Sequence, residues 1–403
     1  MKSINQAVIL CGGKGTRLGK LTKNLPKPMI KVADKPFLEH LIIQLKKNGV
    51  KNILLLIGYK GEVIKNYFNT GKNIGIKINY SYLPPEADTG QRLYEAKKKL
   101  KKNFILLYSD NYTSLNLHKL NKHFIVSGKK ILLSLVKKRN GNCYFNEKNN
   151  NVTYTNIRSK KSSHVEIGYM IINSDILKYL NKKTKNFSKF LQLLSKKKLI
   201  SGIEIKNGYL SIGDRKRLLI TKKYFKNNNI ILIDRDGVIN TIPKNERYLT
   251  SPSKLKINSN FLKQLPKNAK YICITNQAGI ATGELKKQNL IKINKKIKLN
   301  LKKLKLTIID FFISTHHFKS NSFYRKPNPG LFLQAANKYK FILDKTFYIG
   351  DDIRDIEAAY NASTSIKYIG KKNINVEQKK KYKFILLKKN MIEIINDKKK
   401  FKF

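Results

Sequence analysis

Four stretches place carboxylates, a hydroxyl and a lysine near the ends of strand-like runs. Ile230-Ile231-Leu232-Ile233 opens onto Asp234-Arg235-Asp236-Gly237, and Ile272-Cys273-Ile274 opens onto Thr275-Asn276. Arg325-Lys326-Pro327 follows, and then Phe347-Tyr348-Ile349-Gly350 opens onto Asp351-Asp352, with Asp355 three further on. Grouped carboxylates can hold a hard divalent cation. With a lysine and a hydroxyl they can neutralise phosphate oxygens, which otherwise repel an anionic nucleophile. A single aspartate reads as a helix cap or turn residue, its commoner use. Four such blocks in order point instead to one site.

A second group lies near the start: Cys11-Gly12-Gly13-Lys14-Gly15-Thr16-Arg17-Leu18, then Pro26-Lys27-Pro28-Met29 and Gly58-Tyr59-Lys60-Gly61. Glycines let backbone N–H groups approach a polyphosphate, and Arg17 offers a fork of donors for its oxygens. A glycine-rich loop alone also marks ordinary turns. The added Thr-Arg-Leu and the lysine between two prolines make this pattern specific.

These residues need strands to carry them. Ala7–Leu10 reads as a strand, followed by the glycine-rich loop and a helix over Phe37–Lys47. Asn52–Ile57 reads as a second strand, with a helix running through Phe68. Ile76–Tyr80, Phe104–Tyr108 and Val165–Asn173 read as further strands, and Lys148–Asn151 as a polar turn. This βαβ rhythm predicts a parallel sheet with ligands beyond the carboxyl ends of its strands. The pattern breaks at Lys226-Asn227-Asn228-Asn229 and restarts with the Ile230 strand. The expected domains are therefore 1–225 and 230–403. Phe384–Leu387 and Met391–Ile395 read as a last strand and helix.

The chain has 403 residues, enough for two cores, and 41% of them are hydrophobic. The three cysteines are scattered, with no CxxC pair, which suits a reducing cytosol and argues against a disulfide framework. No apolar run reaches the roughly 18–20 residues of a membrane helix, and no signal peptide is visible, so a cytoplasmic protein without a membrane partner is expected. The net charge of +59 invites a nucleic-acid reading. Its lysines are spread along the chain and accompany abundant Asn, Ile, Tyr and Phe, which fits A/T-rich coding better than a binding stripe. Nucleic acid is thus not the expected partner, although a positive field helps collect phosphorylated substrates. The sequence does not determine oligomeric state, a homo-oligomer included.

The four blocks of the second half resemble the haloacid dehalogenase superfamily of phosphatases, in particular the branch acting on heptose bisphosphate and histidinol phosphate. The likeness covers roughly residues 230–370. It implies that Asp234 is the nucleophile, forming an aspartyl-phosphate. Asp236 would protonate the leaving oxygen and then activate water. Thr275 and Lys326 would hold the phosphoryl oxygens. Mg²⁺ would be bound by Asp234, Asp236 and Asp351, with Asp352 in support, and Asn276 and Arg325 would contact substrate. Members of this branch often carry a zinc loop before the Arg-Lys-Pro segment. That stretch has His316 and His317 but no cysteine, so no zinc is expected.

The first half, over roughly residues 5–225, resembles sugar-1-phosphate nucleotidyltransferases. The resemblance implies an α/β fold with a Rossmann-like N-terminal domain, followed by a haloacid dehalogenase-like Rossmannoid domain. Gly12, Gly13, Gly15 and Thr16 would bind the nucleotide, and Arg17 its phosphates. Lys27 would sit between the α-phosphate and the sugar phosphate, and Asp110 would bind Mg²⁺. Gly90, in Thr89-Gly90-Gln91-Arg92-Leu93, lies where the family contacts the base, and Gly168 where it contacts the sugar. The family usually places a second metal-binding Asp in an Asp-Ile-Gly turn, which here reads Ser211-Ile212-Gly213. Three alternatives stay open: Asp214 takes over, Asp110 and the phosphates hold the ion, or transfer is slow or lost.

Together the halves imply a phosphatase making D-glycero-D-manno-heptose 1-phosphate from the 1,7-bisphosphate, and a transferase converting it to an NDP-heptose. GTP is the preferred nucleotide, with CTP next because Thr89-Gly90-x-Arg92-Leu93 resembles cytidylyltransferases. Rival readings are a histidinol-phosphate phosphatase and a phosphatase with a nucleotide-sugar-sensing domain.

Overall fold

The structure, a computed structural model, describes residues 3–180, 186–227, 229–370 and 392–394. The chain divides into two compact units, Met1–Lys222 and Lys223–Phe403.

In the first unit the strands are β1 (Gln6–Cys11), β2 (Lys31–Val32), β3 (Lys35–Pro36), β4 (Asn52–Ile57), β5 (Lys77–Tyr82), β6 (Asn103–Tyr108), β7 (Asn111–Tyr112), β8 (Ile131–Lys137), β9 (Cys143–Asn146), β10 (Asn151–Tyr154), β11 (His164–Asn173), β12 (Ile200–Glu204) and β13 (Leu210–Ser211). The helices are α1 (Phe37–Lys47), α2 (Gly61–Phe68), α3 (Thr89–Glu95), α4 (Leu117–Ser127), α5 (Phe187–Lys196) and α6 (Arg215–Lys226), the last crossing the division between the units. Nine strands form one sheet in the order β5-β4-β1-β6-β11-β8-β12-β10-β9. Its first four strands are mutually parallel, as helical crossovers require. The sheet is not parallel throughout, as the βαβ rhythm predicted. β11 runs antiparallel to both β6 and β8, and β9 and β10 form a hairpin. No helix intervenes between β8 and β11: the chain turns back on itself from β8 through the β9–β10 hairpin to β11, and a turn reverses direction.

One face of this sheet buries Val8, Leu54, Leu106, Leu133 and Met170 beneath Leu93 of α3 and Phe187, Phe190, Leu191 and Leu194 of α5. The apolar residues of α5 recur at helical spacing, so one stripe faces the sheet.

The second unit adds β14 (Ile230–Ile233), β15 (Lys270–Asn276), β16 (Thr307–Ser314), β17 (Phe347–Gly350), β18 (Ser365–Tyr368) and β19 (Ile392–Ile394), with α7 (Ser259–Leu262), α8 (Lys287–Lys303), α9 (Gly330–Tyr339) and α10 (Ile353–Ala362). All six strands are parallel, in the order β16-β15-β14-β17-β18-β19. β14 is buried along its whole length, as a central parallel strand must be. Leu290, Ile293, Ile297 and Leu301 of α8 cover one face, while Leu331 and Phe332 of α9 and Ile356 and Ala359 of α10 cover the other. At about 1.5–3 kcal/mol for each fully buried aliphatic side chain, these stripes supply most of the force holding the layers together. The expected helix over Met391–Ile395 is corrected to strand: Ile392–Ile394 continues the ladder beside β18. Alternating Ile-Glu-Ile suits the two-residue period of a strand. The expected strand at Phe384–Leu387 lies outside the described residues.

Candidate active sites

In the second unit the candidate site forms where the central strands end. β14 delivers Asp234, its neighbour β15 carries Thr275 and Asn276, and its other neighbour β17 delivers Asp351. Ligands of open α/β sheets bind beyond such carboxyl ends. Lys326 enters from the loop before α9 and is buried between two carboxylates. Its Nζ lies 2.9 Å from Asp234 Oδ1 and 2.8 Å from Asp355 Oδ1, and donates to the Tyr348 hydroxyl at 2.7 Å. Burial alone would lower the lysine pKa, but Asp234 and Asp355 outweigh it and hold the ammonium above its usual range. Burial pushes Asp234 well above the ordinary carboxylate range, with Asp355 and Asp351 adding to the rise and Lys326 opposing it.

Oxygens of Asp234, Asp351 and Asp355 lie within 4.8 Å of one another. Three carboxylates against one lysine leave an excess of negative charge among oxygen donors, which fits a hard divalent cation. Gly237 makes room for this cluster. Its φ is +85°, and a Cβ there would stand 1.8 Å from Asp351 Oδ2.

Asp236 and Asp352, expected among the metal ligands, are not part of that trio. Asp236 accepts from Arg235 Nε and Nη2 at 3.0 Å each, from Gln277 Nε2 at 2.8 Å and from Asn240 Nδ2 at 3.0 Å. Burial would raise it, yet Arg235, Gln277 and Asn240 hold its carboxyl below the usual range. Asp352 caps α10 and pairs with Arg354 at 2.7 Å. Asn276, expected to touch substrate, clamps the Lys326 backbone: it donates to the Lys326 carbonyl at 3.0 Å and accepts from the Lys326 amide at 3.1 Å. Arg325 donates to the His316 carbonyl at 3.3 Å. Thr275 is 1% exposed, and its hydroxyl accepts from Gln277 at 2.9 Å.

The sequence reading gave no role to Asp355, Arg235, Gln277 or Tyr348. Asp355 accepts the Asp351 and Asp352 amides at 3.1 and 3.0 Å, so its carboxylate fixes the turn that carries Asp351 as well as Lys326. Its position four residues beyond Asp351 was the available signal, since that spacing returns to the start of a helix. Arg235 is fully buried, a rare state for arginine unless paired, and nothing local marks it out.

In the first unit a cleft of about 430 Å³ opens at the carboxyl ends of β1 and β6. Gly12, Gly13, Gly15, Thr16, Arg17, Lys27, Thr89, Arg92 and Asp110 line it. Lys27 Nζ meets Asp110 Oδ2 at 2.5 Å. Asp110 is the one carboxylate among the lining residues. Gly12 must be glycine because of a close approach: a Cβ there would lie 2.3 Å from Arg92 Cζ. Arg92 cannot yield easily. It is 5% exposed and donates to the carbonyls of Ile57, Leu83 and Pro84 at 2.8, 2.8 and 2.6 Å. It braces the cleft wall, while Gly90 is buried in the first turn of α3.

Gly168 sits outside the cleft lining, in a bulge of β11 where the register shifts between Glu166 and Met170. The bulge folds the Glu166 carboxylate back onto the Gly168 amide, and Tyr108 Oη donates to Glu166 at 3.1 Å. Burial pushes Glu166 up to about 7, with Asp110 adding and the Gly168 amide and Tyr108 opposing. Ser211 pairs with Asn111 next to Asp110, and the Ile212 amide donates to the Asp110 carbonyl at 2.9 Å. Ser211 therefore sits on the strand paired with the segment that follows Asp110, and its hydroxyl accepts from the Gly213 amide at 3.1 Å. The Asp214 carboxylate accepts from the Arg217 amide at 2.9 Å and pairs with Arg217 Nε at 3.2 Å.

Fold and sites define a nucleotidyl transferase domain joined to a phosphatase domain of the haloacid dehalogenase type. Residues 6–192 match the nucleotidyl transferase family, to which the chain belongs, and residues 229–376 match the polynucleotide kinase 3 phosphatase family. The D-glycero-alpha-D-manno-heptose 1-phosphate guanylyltransferase of Campylobacter jejuni is 34% identical over 213 residues, which are 52% of this chain and 94% of that protein. The enzyme of the same name from Aneurinibacillus thermoaerophilus is 36% identical over 121 residues, 30% of this chain and 52% of its own length. A probable glucose-1-phosphate cytidylyltransferase of Bacillus subtilis is 34% identical over 140 residues, 29% of this chain and 55% of its own. The crystal structure of HddC from Yersinia pseudotuberculosis is 24% identical, covers 55% of this chain and 100% of its own, and superposes with a TM-score of 0.47. Among the described residues, no helix is long and apolar enough to cross a membrane.

Proposed function

We propose that the chain is a cytoplasmic bifunctional enzyme of sugar-nucleotide synthesis, with one domain over residues 1–225 and the other over 230–403. Its second unit removes the 7-phosphate of D-glycero-D-manno-heptose 1,7-bisphosphate. Its first unit joins the resulting heptose 1-phosphate to a nucleotide, GTP before CTP, releasing pyrophosphate. The observation that carries this reading is the phosphatase site in the same chain as a unit 34% identical to a heptose 1-phosphate guanylyltransferase.

In the phosphatase, an Asp234 oxygen attacks phosphorus and the phosphate–sugar bond breaks, giving an aspartyl-phosphate. Lys326 and Thr275 hold the phosphoryl oxygens. Asp236 gives a proton to the leaving oxygen and then takes one from water. To act so, its carboxylate leaves the Arg235 fork that keeps it ionised and takes up a proton, while Arg235 keeps its bond to Gln277 at 2.7 Å. Mg²⁺ held by Asp234 and Asp351 would neutralise phosphate charge. In the transferase, the glycine-loop amides and Arg17 hold the triphosphate. Lys27 draws the sugar phosphate and α-phosphate together. Asp110 would hold Mg²⁺ with the triphosphate's own oxygens.

The Ser211 position supports a second reading, in which the first unit senses nucleotide sugars without making them. Asp110→Asn separates the two: a transferase loses pyrophosphate release, whereas a sensor keeps phosphatase activity and loses its control by nucleotide. The substrate assignment is tested by phosphate release from heptose 1,7-bisphosphate, histidinol phosphate and a 3′-phosphorylated oligonucleotide. Preference for either of the last two contradicts it.

A further inference from the structure

Glu147, His164 and Glu204 converge on the first unit, and none takes part in the reactions proposed above. Glu147 follows β9, His164 opens β11 and Glu204 closes β12, and atoms of all three able to bind metal lie within 4.8 Å of one another. His164 is 3% exposed. Its Nδ1 lies 2.7 Å from Ser163 Oγ, whereas its buried Nε2 has no hydrogen-bond partner. The ring packs edge-on against Phe145 with centroids 5.3 Å apart, which fixes its plane. Among the described residues, neither the Glu147 nor the Glu204 carboxylate has a side-chain hydrogen bond or ion pair. That is notable in a chain with 84 Lys and Arg against 25 Asp and Glu. A buried nitrogen without a partner and two carboxylates repelling each other are both unfavourable. A bound cation relieves both at once.

We propose that His164 Nε2, Glu147 and Glu204 bind one divalent transition-metal ion of the zinc type, apart from both active sites. An imidazole nitrogen selects zinc and its neighbours, where an all-oxygen set would take magnesium. The Ser163 hydroxyl on Nδ1 orients the ring, as partners of metal-bound histidines do. Two carboxylates balance the ion's charge, and water completes a four-coordinate shell. Bonds of about 2.0–2.2 Å draw the donors closer together, and the exposed Glu147 side chain supplies that movement. Because the ligands come from the ends of three strands, the ion ties the β9–β10 hairpin to β11 and β12.

The test is Zn²⁺ titration of the full chain in excess Mg²⁺, read by competition with a chromophoric chelator and by thermal melting. The wild type is expected to take up one more zinc than Glu147→Gln or Glu204→Gln, or to bind it at least about tenfold more tightly. Zinc is also expected to raise the wild-type melting temperature more than theirs. Both substitutions fall on side chains that reach solvent, so folding is kept; His164→Gln provides a third comparison. Identical zinc uptake and melting shifts in the wild type and both glutamate variants would overturn the proposal.

Discussion

Glu166→Gln is expected to stabilise the first unit above neutral pH and to leave it nearly unchanged in acid. The ordinary glutamate value of 4.5 rises to about 7 at this buried position. A tenfold change in proton affinity is worth about 1.4 kcal/mol, so holding Glu166 ionised in the folded protein costs about 3 kcal/mol above pH 7. Because the folded value lies above the unfolded one, the native state binds the extra proton between them. Stability is therefore fully present below pH 4.5 and falls as pH rises through 7. Glutamine removes this slope while keeping the contacts, since its oxygen accepts from Gly168 and its nitrogen donates to Tyr108. The assay is amide hydrogen exchange in β6 and β11 across pH 4–8, corrected for intrinsic rates. The variant should gain up to about 3 kcal/mol over the wild type at the alkaline end. Parallel pH profiles for the two proteins would refute the reasoning.

Other substitutions probe the active sites. Lys326→Met leaves Asp234 and Asp355 buried without their partner and should destabilise the second unit by about 3–5 kcal/mol, read from amide exchange in β14 and β17. Gly237→Ala forces a side chain into φ +85° and against Asp351; the Mg²⁺ needed for half-maximal phosphate release should rise about 10- to 100-fold, with pyrophosphate release unchanged. Ser211→Asp adds a carboxylate on the strand paired with the segment after Asp110 and should lower the Mg²⁺ requirement of pyrophosphate release about tenfold. A requirement that stays put would mean that residue 211 does not face the ion.

Much of this arrangement was legible because short motifs carried it. Asp234, Thr275 and Asp351 follow apolar runs that become neighbouring strands, so reading where each run ends also places its side chain. The glycine loop, Lys27 and Asp110 were legible for the same reason. What escaped depends on contacts distant in sequence. Arg235 and Arg92 look like surface residues until Gln277, 42 residues on, and the carbonyl of Ile57, 35 residues back, are brought beside them. Glu166 stood next to the expected Gly168, but only the bulge turns its carboxylate back onto that amide. The antiparallel β11 was hidden because a strand's apolar pattern does not reveal its direction.

The most direct test of the central claim supplies full-length protein with heptose 1,7-bisphosphate, GTP and Mg²⁺, and follows phosphate and pyrophosphate together. The account predicts phosphate first and pyrophosphate after it. Asp234→Asn should abolish both, and added heptose 1-phosphate should restore pyrophosphate alone. Phosphate release without pyrophosphate, for GTP and CTP alike and with heptose 1-phosphate supplied, would contradict the account and leave the first unit as a binding domain.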